Sequence, residues 1–548
     1  MKKKKNVAKI TLSFLLFTTC YTLQAQNNMG QIHGNFELDA QYYNPDSTIG
    51  APPVPEKMLS NGFLNVNYTN GNISAGFRYE SYLDVMQGFD SRYQGTGIPY
   101  RYFSYKMDNM EVTVGSFYEQ FGTGMIFRSY EERGLGLDNA MDGVRLRYNP
   151  YKGIYIKGII GKQREFFSEG PGLVRGADGE VNLNELIDKM ANDKTHIILG
   201  GSFVSKYQVD QDPIYVLPQN VGASAGRINI IRNGLNLYGE YAYKINDPST
   251  FNHYIYKPGQ SLLVMTSYSQ KGFSITLDGK RVDNMDFKSD RTQTGSVLDI
   301  NYLPALTLQH TEELMSFYPY ATQPNGEMGF ESEVQYKIKK ESLLGGHYGT
   351  DLLVNFSGAN SLDTVNVNDM STTRQGYKSD FFAIGQETYY RDLFTSVHHK
   401  FSKQFTGTAE YAYQVYNKNV IQGQVGWPTI YSNIAVVDVT YKFNSDHALR
   451  CDLEHLATKQ DMHNWASLLL EYSLGSNWFV SALDEYNYGN PNPAQQIHYF
   501  IANAGYTINA SRITVGYGKQ RAGIFCVGGV CRNVPASNGL TLSITSSF

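Results

Sequence analysis

The densest chemistry in the sequence lies in residues 115–143, GSFYEQFGTGMIFRSYEERGLGLDNAMDG. Glu119, Arg128, Glu131, Glu132, Arg133, Asp138 and Asp142 supply both signs of charge there. Gly115, Gly122, Gly124, Gly134 and Gly136 permit turns and close backbone approach. Acids and bases opposed across a wet passage set up a transverse field that orients polar solutes. The same groups could instead pair with one another and hold a loop against a wall. Other reactive groupings are weaker. Gly222-Ala223-Ser224-Ala225-Gly226 fits G-x-S-x-G, but that motif needs a strand–turn–helix elbow, and 220–231 reads as a strand with no helix after it. Asp283, Asp286 and Asp290 lack the regular spacing of a calcium loop. His398 and His399 fall on opposite faces of a strand, and Cys451 and His455 stand about 13 Å apart at strand rise, so neither forms a metal pair. The expectation is a protein without catalytic residues, metal or cofactor.

The elements that must position the charged stretch are strands. From residue 31 onward the chain alternates. Ile32, Phe36, Leu38 and Ala40 share one face against His33, Glu37 and Asp39. Met328, Phe330 and Val334 oppose Glu327, Glu331 and Glu333. Period two over about ten residues is the half-buried strand, and ten tilted residues cross an outer membrane. Connections alternate between tight turns, such as Arg232-Asn233-Gly234, and long stretches at 44–60, 84–98, 119–141, 206–219, 247–259, 283–294, 361–379 and 523–538. The rhythm breaks after 164 unless 172–184 is a strand and 185–193 a short helix. With that choice the reading is all-β: one large antiparallel transmembrane barrel of about 26 strands, in a range of about 22–26, with both termini periplasmic. The charged stretch then becomes the third external loop, folded inward.

Composition agrees. Mean hydropathy is -0.37 and no stretch of about 20 apolar residues occurs, which excludes a helical bundle. The 42 tyrosines suit interfacial girdles. In lipid the sheet must close and its polar row must face inward. That row would line the lumen with Glu37, Asp39, Arg78, Glu80, Arg145, Arg147, Glu240, Asp278, Lys280, Asp299, Glu327, Glu331, Glu333, Arg450, Asp452 and Glu454.

The N-terminus has a basic start, an apolar run at 10–17 too short to span a bilayer, and Leu23-Gln24-Ala25. It reads as a signal peptide, residues 1–25, cleaved after Ala25, with residues 26–548 forming a single barrel domain. Its removal takes away five lysines and no acid, moving the net charge from -4 to -9, which does not suggest nucleic-acid binding. Cys526 and Cys531 could form a local disulfide in an oxidising compartment. Strands begin near residue 30, leaving no room for a globular N-terminal plug.

The run YEQFGTGMIFRSYEERGLGLDNAMDG, the run EYAYKINDPS at 240–249 and the tail AGIFCVGGVCRNVPASNGL resemble a Bacteroidota outer-membrane barrel family of unassigned function. The layout of strand, charged Gly-rich loop and DG-x-R strand at 117–147 also looks like alginate-export-type porins, a loose likeness that carries no substrate. The final amphipathic strand, ending on Phe548, resembles the insertion signal of such barrels. The resemblance implies the outer membrane of a Gram-negative envelope, with membrane lipid and the barrel-assembly machinery as partners. The expected function is a porin-like passive channel for small polar solutes. The alternative is an interaction barrel within a secretion or assembly complex.

Overall fold

A computed structural model describes residues 30–527 and 530–548. The expected signal peptide and its cleavage site after Ala25 lie outside the described residues.

The alternating sequence pairs into a 24-stranded sheet in which every neighbouring pair is antiparallel. Strand follows strand around the wall, from Gln31–Tyr43 to Ser537–Ser547. These two then pair with each other, Asn35 opposite Ser547 and Tyr43 opposite Gly539, so the sheet closes into a barrel. Closure leaves no edge, and every ladder has a partner on both sides. The count falls within the expected range and below the expected 26.

One rim carries tight turns. At Arg232-Asn233-Gly234-Leu235 both central residues adopt positive φ, 48° and 83°, which is why Asn-Gly is used there. The doubtful region after 164 resolves as anticipated: Ser168–Asn182 is a strand, followed by the helical turns Leu183–Leu186 and Asp188–Met190. The other rim carries long connections, including 118–140 and 284–325. The second of these was expected to end at 294. It runs on to residue 325 and contributes no strand to the wall, so the wall has fewer strands than expected.

Alternation sets the two faces. Along Ile73–Leu83, Phe77 and Tyr79 are exposed outside, whereas Arg78 and Glu80 are buried within. The outer row is apolar at mid-wall, with Leu277 and Val437 each 50% exposed and Leu453 at 55%. Towards the tight-turn rim it becomes aromatic, with Tyr105, Tyr151, Phe401, Phe443 and Trp478; Tyr42, Tyr243 and Tyr431 lie towards the long-loop rim. A wall with apolar side chains facing out and charges buried inside inverts the usual globular arrangement.

The interior is filled from the long-loop rim. Met125, Ile126 and Phe127 of 118–140 join Met285, Phe287 and Ile300 of 284–325 against wall residues such as Val174, Val204, Ala223 and Leu263. Further along the second segment, Leu314, Met315, Tyr318 and Tyr320 pack against Phe394, Ala412, Ile434, Leu456 and Trp465. Residues 284–325 therefore reach from one part of the wall to a distant part. Each fully buried side chain of this size contributes about 1.5–3 kcal/mol.

Candidate functional site: the lumen and its inward-folded segments

The loop 118–140 is held by ions. Arg78, on the wall strand Ile73–Leu83 and 2% exposed, meets three carboxylates. Its Nε lies 2.6 Å from Glu80 and its Nη1 2.8 Å from Glu131, and it also pairs with Asp138. Arg164 binds Glu80 at 2.6 Å and Asp138 at 2.5 Å. Arg133 bridges Glu131 at 2.6 Å and Glu37 of the first strand at 2.8 Å. The Tyr118 hydroxyl donates to Asp138 at 3.0 Å. Burial pushes the Glu131 carboxyl up from its ordinary value, against the opposing pull of Arg78. Buried charges need this degree of pairing, because each unpaired one would cost several kcal/mol.

Glu119 accepts from Arg147 at 2.7 Å and from Lys157 at 3.1 Å. Arg145 binds Glu111 at 2.5 Å and donates to the Tyr118 carbonyl at 3.1 Å. Arg128 is sandwiched between the rings of Tyr130 and Tyr302, at 4.2 and 4.1 Å, so each inward segment supplies one ring. Glu132 is half-buried in the two-residue ladder that pairs it with Leu137. Asp142 departs from expectation. It is the second residue of the strand Met141–Tyr151, and Met141 is buried in the interior cluster, so Asp142 falls on the outward row. There it pairs with Arg101 at 3.1 Å.

The two segments bind each other. The Arg128 amide donates to the Ile300 carbonyl at 2.8 Å, the Tyr302 amide donates to Gly124 at 2.9 Å, and Asn139 donates to the Asp299 carbonyl at 2.9 Å. The wall holds both. Glu240 accepts from the Thr123 amide and hydroxyl at 2.9 and 2.8 Å. Glu454 accepts from the amides of Glu313 and Leu314 at 2.9 and 2.8 Å. Lys280 lies 2.7 Å from Glu327, which also accepts from the Tyr320 hydroxyl at 2.5 Å. His310 Nε2 lies 2.5 Å from Asp392. Asp299, expected on the wall, sits instead on the inward segment and pairs with Lys288.

The remaining expected wall residues lie on inward rows. Asp39 shares a face with Glu37, and Glu331 and Glu333 share one with Glu327; both accept from Asn355, at 2.8 and 3.3 Å. Arg450 pairs with Asp438 and reaches Asp452 at 3.5 Å, on the face that carries Glu454. Lys206 and Lys244 were not singled out by sequence reasoning. Both are wholly buried, and Lys206 pairs with Asp247 at 2.7 Å. Their alternation could have placed them inward. Arg164 follows a register shift in its ladder, and His310 lies in a segment without period, so neither had a local signal.

Water-sized space remains on both sides of the segments. A chamber of about 430 Å³ near the tight-turn side is lined by Asn67, Ser104, Thr113, Tyr118, Glu131 and Arg145. One of about 680 Å³ near the long-loop side is lined by residues including Phe317, Tyr318, Trp465, Tyr499 and Arg521. Among the described residues no cluster of His, Cys, Asp and Glu could hold a metal ion. Ser224 is exposed, on the row opposite the interior residues Ala223 and Ala225. In the loop 521–536, Cys526 and Cys531 are opposite one another in a short ladder, and Cys531 is disulfide-bonded; Cys451 is free. Phe548 is exposed, with its backbone paired to Gly34.

Among solved structures, the chain is similar to the siderophore receptor PirA from Pseudomonas aeruginosa, at 8% identity and a TM-score of 0.40, covering 96% of this chain and 82% of that one. It is similar to a mutant of the ferric enterobactin receptor PfeA from the same organism, at 11% identity and 0.41, covering 96% and 81%. A mutant Rh. blastica porin matches at 13% identity and 0.26, covering 64% and 100%. Similarity at this level carries no function across. No curated protein matches the chain. Residues 3–548 match one family model, and the chain belongs to that family, a family of unknown function designated DUF6029.

Proposed function

We propose that the protein is an outer-membrane β-barrel acting as a narrow passive channel for small polar solutes, with its bore reduced by the segments 118–140 and 284–325. The observation that carries this reading is the pairing of an apolar outer row with a charged inner row around a closed 24-stranded wall. Such a wall is stable only where lipid meets its outside and water or protein fills its inside. In this reading both termini lie in the periplasm, residues 1–25 are a signal peptide and the long connections face outward. Cys526 and Cys531 clip one of those connections, and Phe548 belongs to the insertion signal. The Bacteroidota origin implied by the sequence runs belongs to the same proposal, as does the absence of enzymatic activity. Membrane lipid and the assembly machinery are its partners.

Planar-bilayer recording tests it. Small, stable conductance steps with purified protein are expected. A reproducibly silent barrel would favour the second reading, an interaction barrel within an envelope complex. One observation supports that alternative: residues 284–325 are fastened to well-separated parts of the wall by two apolar clusters.

A further inference from the structure

Arg532 lies in the loop 521–536 and is half-buried. Its guanidinium stacks on the Phe89 ring at 3.9 Å, yet its Nε and Nη1 are shielded from solvent and have no hydrogen-bond partner among the described residues. No acidic side chain among the described residues pairs with it, and residues 1–29 and 525–530 contain no Asp or Glu. A shielded cation without a counter-charge is costly, and a guanidinium grips a two-oxygen anion along either of the planar edges that Nη2 shares with Nε or with Nη1, each of which here contains one unpaired N–H.

The surroundings form a receptacle. A cavity of about 240 Å³ is lined by Arg532 together with Gln41, Tyr43, Gln87, Gln520 and Ser537, and closed by apolar Met86, Phe89, Val534 and Pro535. It lies towards the long-loop rim, near the seam where the first and last strands meet. Tyr43 accepts from the Gln87 amide at 3.2 Å and Gln41 donates to Ser537 at 3.1 Å. Gln87 Oε1 has no partner among the described residues and calls for a donor. The loops are closely fitted: a Cβ added at Gly88, where φ is 85°, would come within 2.9 Å of the Asn533 carbonyl.

We propose that this cavity binds a small organic monocarboxylate bearing a hydroxyl group. The carboxylate sits on the edge of Arg532 and the hydroxyl donates to Gln87. One lining cation matches one negative charge, and the volume is below that of a pocket for a drug-sized ligand. The site goes beyond the channel reading, because binding here does not require the barrel to conduct.

The test is calorimetric titration of the full-length protein in detergent with D-glycerate, glycerol and inorganic phosphate. Glycerate should bind, glycerol should not, and phosphate should bind more weakly than glycerate. Arg532→Gln should weaken glycerate at least tenfold. Arg532→Lys, which keeps the charge but loses the fork, should fall between them. Gln87→Met should weaken glycerate while leaving the hydroxyl-free acid propionate unchanged, and it supplies a second reading should Arg532→Gln fail to fold. No binding of glycerate, or equal binding by Arg532→Gln, overturns the site. Phosphate binding more tightly than glycerate overturns the monocarboxylate assignment.

Discussion

Replacing Arg78 with Met removes the wall residue that pairs with two carboxylates of the loop 118–140, Glu131 and Asp138. In the native network four carboxylates, Glu37, Glu80, Glu131 and Asp138, face three guanidinium groups, those of Arg78, Arg133 and Arg164. The variant leaves two. Glu80 keeps Arg164 and Glu131 keeps Arg133, while Asp138 keeps Arg164, the Tyr118 hydroxyl and the Ala140 amide but loses one of its two guanidinium partners. The side chains of Arg78 and Asp138 are 3% and 6% exposed, so little water reaches the carboxylate of Asp138 that loses a partner. Breaking a buried pair costs about 3–5 kcal/mol, and the apolar contacts of Phe121, Met125 and Phe127 with the wall should keep the loop inside despite it. Equilibrium unfolding in detergent by urea should therefore show a loss of about 3 kcal/mol or more. Adding Glu131→Gln should restore part of it, because the pair is in direct contact at 2.8 Å. A loss below about 1 kcal/mol, or no coupling between the two sites, would refute the assignment of these ions as the fastening of the loop.

Other expectations follow from the same geometry. Glu454→Ala leaves the buried Leu314 amide and the part-buried Glu313 amide of the second segment without this acceptor, at a cost of about 1–3 kcal/mol for the buried one. It should increase proteolysis near residue 313 and raise any conductance; an unchanged digest would argue against that anchor. Val437→Arg places a charge on the outer row at mid-wall and should cost about 2–4 kcal/mol in vesicles, with much less effect in a water-exposed environment. Equal stability in lipid would count against a membrane-facing exterior. Arg128→Gln removes the cation between Tyr130 and Tyr302 and should shift the reversal potential towards cations; an unmoved potential would mean that Arg128 does not border the path. The Asp46 carboxyl is held below its ordinary 3.8, first by the hydrogen bond from Lys519. Its contribution is therefore complete above pH 3.8 and lost as pH falls through the lower native value. The Thr48 amide, which donates to Asp46 at 3.1 Å, should stay protected from hydrogen exchange at pH 5 and lose protection only in stronger acid.

The sequence by itself determined the wall. A strand shows its faces locally, since residue i and residue i+2 share an environment, so Phe77, Arg78, Tyr79 and Glu80 could be sorted without knowing their neighbours. Turn chemistry determined most connections for the same reason: Asn233-Gly234 carries its own conformational preference. Asp142 was misplaced because its direction depends on where the strand begins, and a shift of one residue reverses the face. What only the tertiary structure decided is what fills the interior. Residues 284–325 have no period, because their apolar side chains answer to scattered wall positions rather than to one sheet face. Leu314 joins a cluster with Leu456, and Ile300 joins one with Val174. The ion network has the same character: Arg78 meets Asp138 and Glu131, and Arg164 meets Glu80, across separations that no local pattern encodes. Composition could supply charges of both signs for 118–140, but only closure of the barrel decided which of them would meet.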